Sequence, residues 1–266
     1  MDLSTVTSYR RAARRDDLVL SEGETYLSGG TWLFSEPQPG ASGLVDLTSL
    51  GWTPWERTEE GLTLAATCTV EELLAVPDVA LGSAHELARQ CADAFLMSFK
   101  IQHLATLGGN VCLALPAGAM ISFLVALDAT AVIWTADGGE RREPVRYLVT
   151  GARTTTLAAG EVLRSFEVSA SALLDRYAFR RCSLSPLGRS SAVVVARRTS
   201  AGVLVTLTAA TRRPIVVALG QQGQEGSLAR ALDEVDCWYA DAHGSPDWRA
   251  AMARRFAAQC LTEVSS

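Results

Sequence analysis

Two glycine-rich stretches decide the fold of this chain: Lys100–Val111, which reads KIQHLATLGGNV, and Leu27–Thr31, which reads LSGGT. Each contains a Gly-Gly pair, at positions 29–30 and 108–109, with a serine or threonine close by. Glycine permits positive φ and brings the main chain close to a ligand. Consecutive backbone N–H groups in such turns form a concave anion site. The two pairs therefore predict a dinucleotide phosphate site, with a plain surface turn as the alternative for each.

Around these stretches the pattern alternates between strands and helices. Short apolar runs predict strands at residues 25–27, 44–47, 62–66 and 129–134, and a hairpin turn at 137–140. Thr69, followed by Glu71 and Glu72, predicts a helix start. Apolar periodicity predicts helices over 85–102 and 117–127. The arginines at positions 10, 11, 14 and 15 favour the solvated face of a further helix.

The final third of the chain has a different pattern. Strands are predicted at residues 162–168, 177–182, 191–197, 203–210 and 213–219. A polar loop follows at 221–226, and helices are predicted at 227–235 and 247–261. Mixed strands and helices followed by a sheet with helices behind it predict an α+β protein with two units, divided near residues 169–172.

Composition excludes several functional classes. A net charge of −5 and a pI near 5.3 argue against nucleic-acid binding. The apolar stretch Ala119–Trp134 is too short to span a bilayer and contains Asp128. Six cysteines without a CxxC spacing, and no predicted signal peptide, indicate a reducing, cytoplasmic setting.

Motifs for most kinds of catalysis are missing. The sequence contains no GxGxxG after a strand, no GxxxxGK[ST], no HExxH and no GxSxG. Its three histidines, at positions 85, 103 and 243, are scattered, so no metal site is predicted. No residue is predicted to act as a catalytic acid, base or nucleophile.

The second glycine stretch carries a family resemblance. Lys100–Val111 resembles the QIRNxATIGGN stretch of the FAD-binding medium subunit of molybdenum hydroxylases, the xanthine dehydrogenase and carbon monoxide dehydrogenase family. Leu27–Thr31 is similar to the family's first flavin loop, AGGT. Further similarities follow in the family's order at residues 44–47, 69–74, 157–166, 177–182 and 213–220. The resemblance thus covers nearly the whole chain.

This resemblance implies a fold and its boundaries. Residues 1–168 would form the two-lobed FAD-binding domain of the molybdopterin dehydrogenase (PCMH-like) type, with lobes at roughly 1–55 and 56–168. Residues 169–266 would form a C-terminal α+β domain with a small antiparallel sheet.

The resemblance also implies where FAD binds. The backbone amides of residues 28–31 would hold the pyrophosphate, and the second loop would touch the pyrophosphate and the ribityl chain. Ala105 and Val111 would line the flavin and Leu163 would lie near its ring, while Arg180 takes the place of a lysine at the ring edge in some members. The cofactor-binding residues implied in this way are Leu27, Ser28, Gly29, Gly30, Thr31, Trp32, Ala105, Thr106, Gly108, Gly109, Asn110, Val111, Ala119, Leu163 and Arg180.

Three departures from the family pattern affect side chains. Ala119 stands where an aspartate would contact the adenosine ribose, and Trp32 stands where an acidic residue often follows the first loop. Residues 187–190 replace an acidic stretch in the C-terminal domain. None of these changes removes a backbone donor, so FAD binding is still expected, with lower affinity.

The implied function is electron transfer. The chain's FAD would accept electrons from [2Fe-2S] clusters in a small partner subunit and pass them to NAD, a quinone or O2. A large molybdopterin-binding subunit would act on the substrate, and the complex would be a dimer of heterotrimers. Two alternatives stay open: a flavin-free scaffold subunit, motivated by Ala119 and Trp32, and a stand-alone FAD oxidoreductase.

Overall fold

The computed structural model describes residues 3–221 and 225–266. Its strands are β1 (Ser8–Arg11), β2 (Glu24–Leu27), β3 (Gly43–Asp46), β4 (Trp55–Arg57), β5 (Gly61–Ala65), β6 (Thr130–Trp134), β7 (Glu140–Pro144), β8 (Val149–Gly151), β9 (Thr154–Thr155), β10 (Val162–Ser169), β11 (Arg176–Cys182), β12 (Ala192–Thr199), β13 (Gly202–Thr208) and β14 (Ile215–Leu219). Its α-helices are α1 (Val70–Leu74), α2 (Asp78–Leu81), α3 (Ala84–Ala94), α4 (Phe99–Leu104), α5 (Leu107–Leu113), α6 (Ala119–Ala126), α7 (Val145–Leu148), α8 (Ala170–Leu174), α9 (Glu225–Asp233) and α10 (Pro246–Ser265).

The first sheet is parallel and has the order β1-β3-β2. The central strand β3 is fully buried and pairs with both neighbours, so that Asp46 lies opposite Arg11 on one side and Leu27 on the other. All three strands therefore end at one edge of the sheet. The first glycine loop leaves β2 at this edge.

The prediction of a helix at the N-terminal arginines is wrong. Residues 8–11 form strand β1, and a 3-10 helix covers Arg15–Leu18. The extended backbone of β1 pairs with β3, and Arg10 bonds Glu24 of β2, with 2.8 Å between Nε and Oε1. Strand pairing across the sheet thus overrides the helical spacing of the charges.

The second sheet is antiparallel, with the order β4-β5-β10-β6-β7, and it packs against the helices that follow β5. Its strands confirm the predictions at 62–66, 129–134 and 162–168 within a residue or two at each end. The buried cluster includes Leu64, Phe123 and Phe166. Thr69 caps α1 as predicted, since its hydroxyl accepts from the Glu72 amide and the Glu72 carboxylate accepts from the Thr69 amide.

The long helix expected over 85–102 is two helices. α3 ends at Ala94, Leu96 adopts a left-handed φ of 56°, and α4 begins at Phe99. No residue of α4 is fully buried, and Phe99 is largely exposed. The chain changes direction at Leu96, so the buried helix face that the apolar periodicity predicted ends with α3.

The third sheet is an antiparallel meander of β11 to β14. One face packs against α10, where Ala253 and Ala257 are buried with Val194. The other face carries Val193 and Val195 into the cluster that holds Phe166. The predicted strands and both C-terminal helices are confirmed, and the mixed architecture confirms the predicted α+β fold.

Two further observations complete the description. Of the polar loop predicted at 221–226, residues 222–224 lie outside the described residues, and residues 225–226 open α9. Across the described ranges, no helix combines the length and apolar character needed to cross a lipid bilayer.

Candidate functional site

The two glycine turns touch each other. The hydroxyl oxygens of Ser28 and Thr106 are 3.0 Å apart, which joins the loop after β2 to the loop before α5. At Gly29 an added Cβ would lie only 1.8 Å from the carbonyl oxygen of Leu104. Only glycine allows this approach of two backbones. Segments far apart in sequence thus form one site.

The first turn presents a row of free backbone donors. The amides of the six consecutive residues 28–33 donate no hydrogen bond to any acceptor in the described chain. Pairing resumes at Phe34, whose amide donates to the Gly30 carbonyl (2.9 Å). All six residues are only partly exposed, and Gly30 has a left-handed φ of 69°. Consecutive free amides beside a left-handed glycine are the type of backbone arrangement that can bind an anion.

The second turn differs, because the amides of residues 107–110 are paired inside the protein. Their acceptors, in order, are the carbonyl oxygens of Cys68 (2.9 Å) and Ala66 (2.8 Å), the hydroxyl of Thr106 (3.1 Å) and the carbonyl oxygen of Thr106 (3.0 Å). Thr106 is buried and caps α5. The second turn therefore supports the first rather than adding free amides to it.

The Asn110 side chain acts as a helix cap. Its Oδ1 accepts from the amides of Met120 (3.1 Å) and Ile121 (3.3 Å) at the start of α6. A cap from a residue outside the helix's own start has no local sequence signature. Ala119, also in the first turn of α6, is buried and offers no polar side chain.

The residues expected around the flavin ring lie in different surroundings. Ala105 is half-buried beside the first turn, and its Cα would lie 3.2 Å from a Cβ on Gly29. Val111 and Leu163 are both buried in the main core. The structure places Ala105 against the first turn, and contacts of all three residues with the flavin stay predictions.

Arg180 lies on the face of the third sheet that packs on α10. Its Nη2 is 2.6 Å from the Glu263 carboxylate. Side chains alternate along a strand, and the neighbouring Arg181 points the other way, donating to the carbonyl oxygen of Gly188 (3.2 Å). No hydrogen bond or ion pair within the described ranges joins Arg180 to either glycine turn.

The strand ends beside the first turn are fixed by ionised groups. Asp46 accepts from the Thr48 amide (2.8 Å) and from the Tyr9 hydroxyl (2.7 Å). Burial opposes its ionisation, but these hydrogen bonds hold the pKa of Asp46 below its usual value. In β2, the hydrogen bond from Arg10 lowers the pKa of Glu24 to about 2. These contacts hold the strand from which the first turn emerges.

Sequence reasoning missed one residue next to the first turn. Arg153 lies in the turn between β8 and β9, and its guanidinium carbon is 5.6 Å from the centroid of the Trp32 ring. Its amide donates to the carbonyl oxygen of Ala114, directly after α5 (2.8 Å). The only hint of Arg153 in the sequence is its position between two short runs of β-prone residues.

Comparisons with solved structures show that the fold extends over the whole chain. Carbon monoxide dehydrogenase from Oligotropha carboxidovorans is 20% identical, with a TM-score of 0.85, covering 100% of this chain and 99% of that one. Quinoline 2-oxidoreductase from Pseudomonas putida 86 is 21% identical, with a TM-score of 0.79, covering 97% and 98%. Carbon monoxide dehydrogenase from Hydrogenophaga pseudoflava is 17% identical, with a TM-score of 0.79, covering 97% and 96%.

Sequence comparison defines the family. No curated protein matches the chain significantly. The family described as "FAD binding domain in molybdopterin dehydrogenase" matches residues 7–170, which is more than half of the chain and contains both glycine turns. The chain therefore belongs to the FAD-binding domains of molybdopterin dehydrogenases, which confirms the resemblance seen in its two glycine stretches.

Proposed function

We propose that this protein is the FAD-binding electron-transfer subunit of a molybdenum hydroxylase complex. The observation that carries the proposal is the row of six unpaired amides at residues 28–33, set at a turn that only glycine can form. Family membership supplies the identity of the anion, because a flavin dinucleotide carries a pyrophosphate.

The described residues fit that group. A pyrophosphate has two negative charges, and a left-handed turn of consecutive amides can bind it without a side chain. The first turn would hold the pyrophosphate, and the Ser28–Thr106 hydrogen bond would keep that turn in place against the second. Bound FAD would supply the ability to take up electrons and pass them on. The chain would position the FAD and shield it from water.

The electron path runs through partner subunits in this proposal. Electrons would come from [2Fe-2S] clusters in a small subunit, after substrate oxidation in a large molybdopterin-binding subunit, and would leave to NAD, a quinone or O2. Similarity to two carbon monoxide dehydrogenases and a quinoline oxidoreductase supports such an assembly, in which two heterotrimers would pair. The chain's six free cysteines fit a reducing cytoplasm. On its own the chain would not oxidise the complex's substrate.

One observation favours a flavin-free scaffold as the second candidate. All four amides of residues 107–110 are already paired, and Ala119 is buried without a polar group, so only one of the two turns has free donors. In this second candidate function, the chain would still join the complex but would not transfer electrons.

Titration of the purified chain with FAD separates the candidates. Flavin-fluorescence quenching should saturate at one FAD per chain, and denaturation should release intact FAD. A chain that ignores FAD even within its purified complex would contradict the proposal and favour the scaffold. Steady turnover by the isolated chain with an electron donor and acceptor would instead favour a stand-alone oxidoreductase.

A further inference from the structure

We propose that Arg153, whose guanidinium lies over the Trp32 ring, binds a phosphate of the dinucleotide at one end of the row of free amides at residues 28–33. This inference rests on the proposed function and adds a binding residue that family matching does not assign.

Arg153 is anchored to the far end of α5. Its φ is 62°, and its amide donates to the carbonyl oxygen of Ala114, which caps α5 in a left-handed conformation. The other end of α5 begins at Thr106, which contacts Ser28. The seven residues of α5 span about 10 Å. The Ser28–Thr106 hydrogen bond and the Arg153–Ala114 hydrogen bond are therefore about one short helix apart.

The free amides lie between two side-chain contacts. The Ser28–Thr106 hydrogen bond marks the start of the row, and the Trp32–Arg153 contact lies near its end. A pyrophosphate bound along the row would have the guanidinium at one end. The bound anion would then contact neutral amide donors along the row and a cation at one end.

The guanidinium of Arg153 is available for an anion. Among the described residues it has no carboxylate within ion-pair distance, and its side-chain N–H groups donate to no acceptor. A cation–π contact with an indole ring holds a guanidinium near the ring and leaves its N–H groups free for other acceptors. Those groups match phosphate oxygens.

Arg146 is a matched control, because it lies with Arg153 in the region that matches the FAD-binding family. It also lies over an aromatic ring, with its guanidinium carbon 4.8 Å from the Tyr147 centroid, but it is paired with Asp128. It makes no described contact with either glycine turn. Its replacement tests the general effect of removing one positive charge.

The experiment compares Arg153→Gln with Arg146→Gln. The affinity for FAD is measured by flavin-fluorescence quenching, and that for ADP by calorimetry, since ADP carries the diphosphate without the flavin. Loss of a charge-assisted hydrogen bond should weaken both ligands about tenfold to a hundredfold in Arg153→Gln. Arg146→Gln should leave both unchanged, and Arg153→Lys, which keeps the charge, should fall between. Thermal unfolding of each apo variant verifies that the fold is retained.

The outcomes separate the inference from the proposed function. If the unaltered chain binds FAD and Arg153→Gln binds FAD and ADP equally well, the inference is overturned and the proposed function stands. A loss for FAD without a loss for ADP also overturns it, because the contact would not be with phosphate. If the unaltered chain binds neither ligand, both fail together.

Discussion

The two glycine turns of this protein have similar sequences, but their backbone amides differ in hydrogen bonding. The turn at 28–31 leaves its amides without protein acceptors, whereas the amides of the turn at 107–110 all bond within the chain. Both need glycine, since an added Cβ would meet backbone at Gly29 (1.8 Å from the Leu104 oxygen) and at Gly108 (2.7 Å from the Ala66 oxygen). A Gly-Gly pair thus predicts a close approach of protein backbone in both cases, but only the turn at 28–31 leaves amides without a protein acceptor.

The largest effect is expected at Gly29. In Gly29→Val the side chain would push the first turn away from Leu104, so FAD affinity should fall by about two orders of magnitude or more, measured by fluorescence quenching. Gly40→Val is the control, because a Cβ at Gly40 meets nothing within 4 Å. Unchanged FAD binding in Gly29→Val would mean that the first turn is not the phosphate site.

Stability should distinguish the neighbouring glycines of the second turn. Gly108→Ala places Cβ 2.7 Å from both the oxygen and the Cβ of Ala66, and it should lower the free energy of unfolding by about 1–3 kcal/mol. Gly109→Ala meets only the Thr106 hydroxyl at 2.8 Å, so it should cost about 1 kcal/mol through the weakened cap. Urea unfolding of the apo proteins measures both. Equal losses would contradict the assignment of Gly108 to internal packing.

Asn110→Ala tests whether the second turn binds FAD or stabilises the fold. The variant loses the acceptor for the Met120 and Ile121 amides, which should reduce the unfolding free energy by about 1 kcal/mol. The affinity for FAD should change less than in Gly29→Val. An apo protein of unaltered stability with FAD affinity reduced more than tenfold would show that Asn110 contacts the cofactor directly.

The smallest effect is a pH dependence near the first turn. The hydrogen bond from Arg10 lowers the pKa of Glu24 from its usual 4.5 to about 2. This contact stabilises the fold fully above pH 4.5, and the contribution is lost as the pH falls toward about 2. The midpoint of thermal unfolding should therefore drop more between these pH values in the unaltered chain than in Glu24→Gln. Parallel curves would contradict the role of this ion pair.

Local signals predicted much of the fold. Apolar runs located most strands of the second and third sheets, and the Thr69 capping box marked the start of α1, because these features depend on neighbouring residues. β1 was missed because its conformation depends on pairing with β3, far along the chain. The break at Leu96 was missed because apolar residues continue past the point where α3 stops being buried.

The candidate site was predictable as a pair of turns but not in its details. Which amides are free depends on the positions of Ala66 and Cys68, which no motif encodes. The family pattern implies that Arg180 lies near the flavin ring, which stays a prediction, and in the structure its guanidinium pairs with Glu263 on α10. Arg153 carries no motif, and its place over Trp32 follows from its backbone bond to Ala114.

Amide hydrogen exchange tests the contrast between the turns most directly. Without ligand, the amides of residues 28–33 should exchange fast, while those of 107–110 should already be protected. Added FAD should slow exchange in the first group and leave the second nearly unchanged. Protection by FAD confined to residues 107–110, with 28–33 still exchanging fast, would contradict the account.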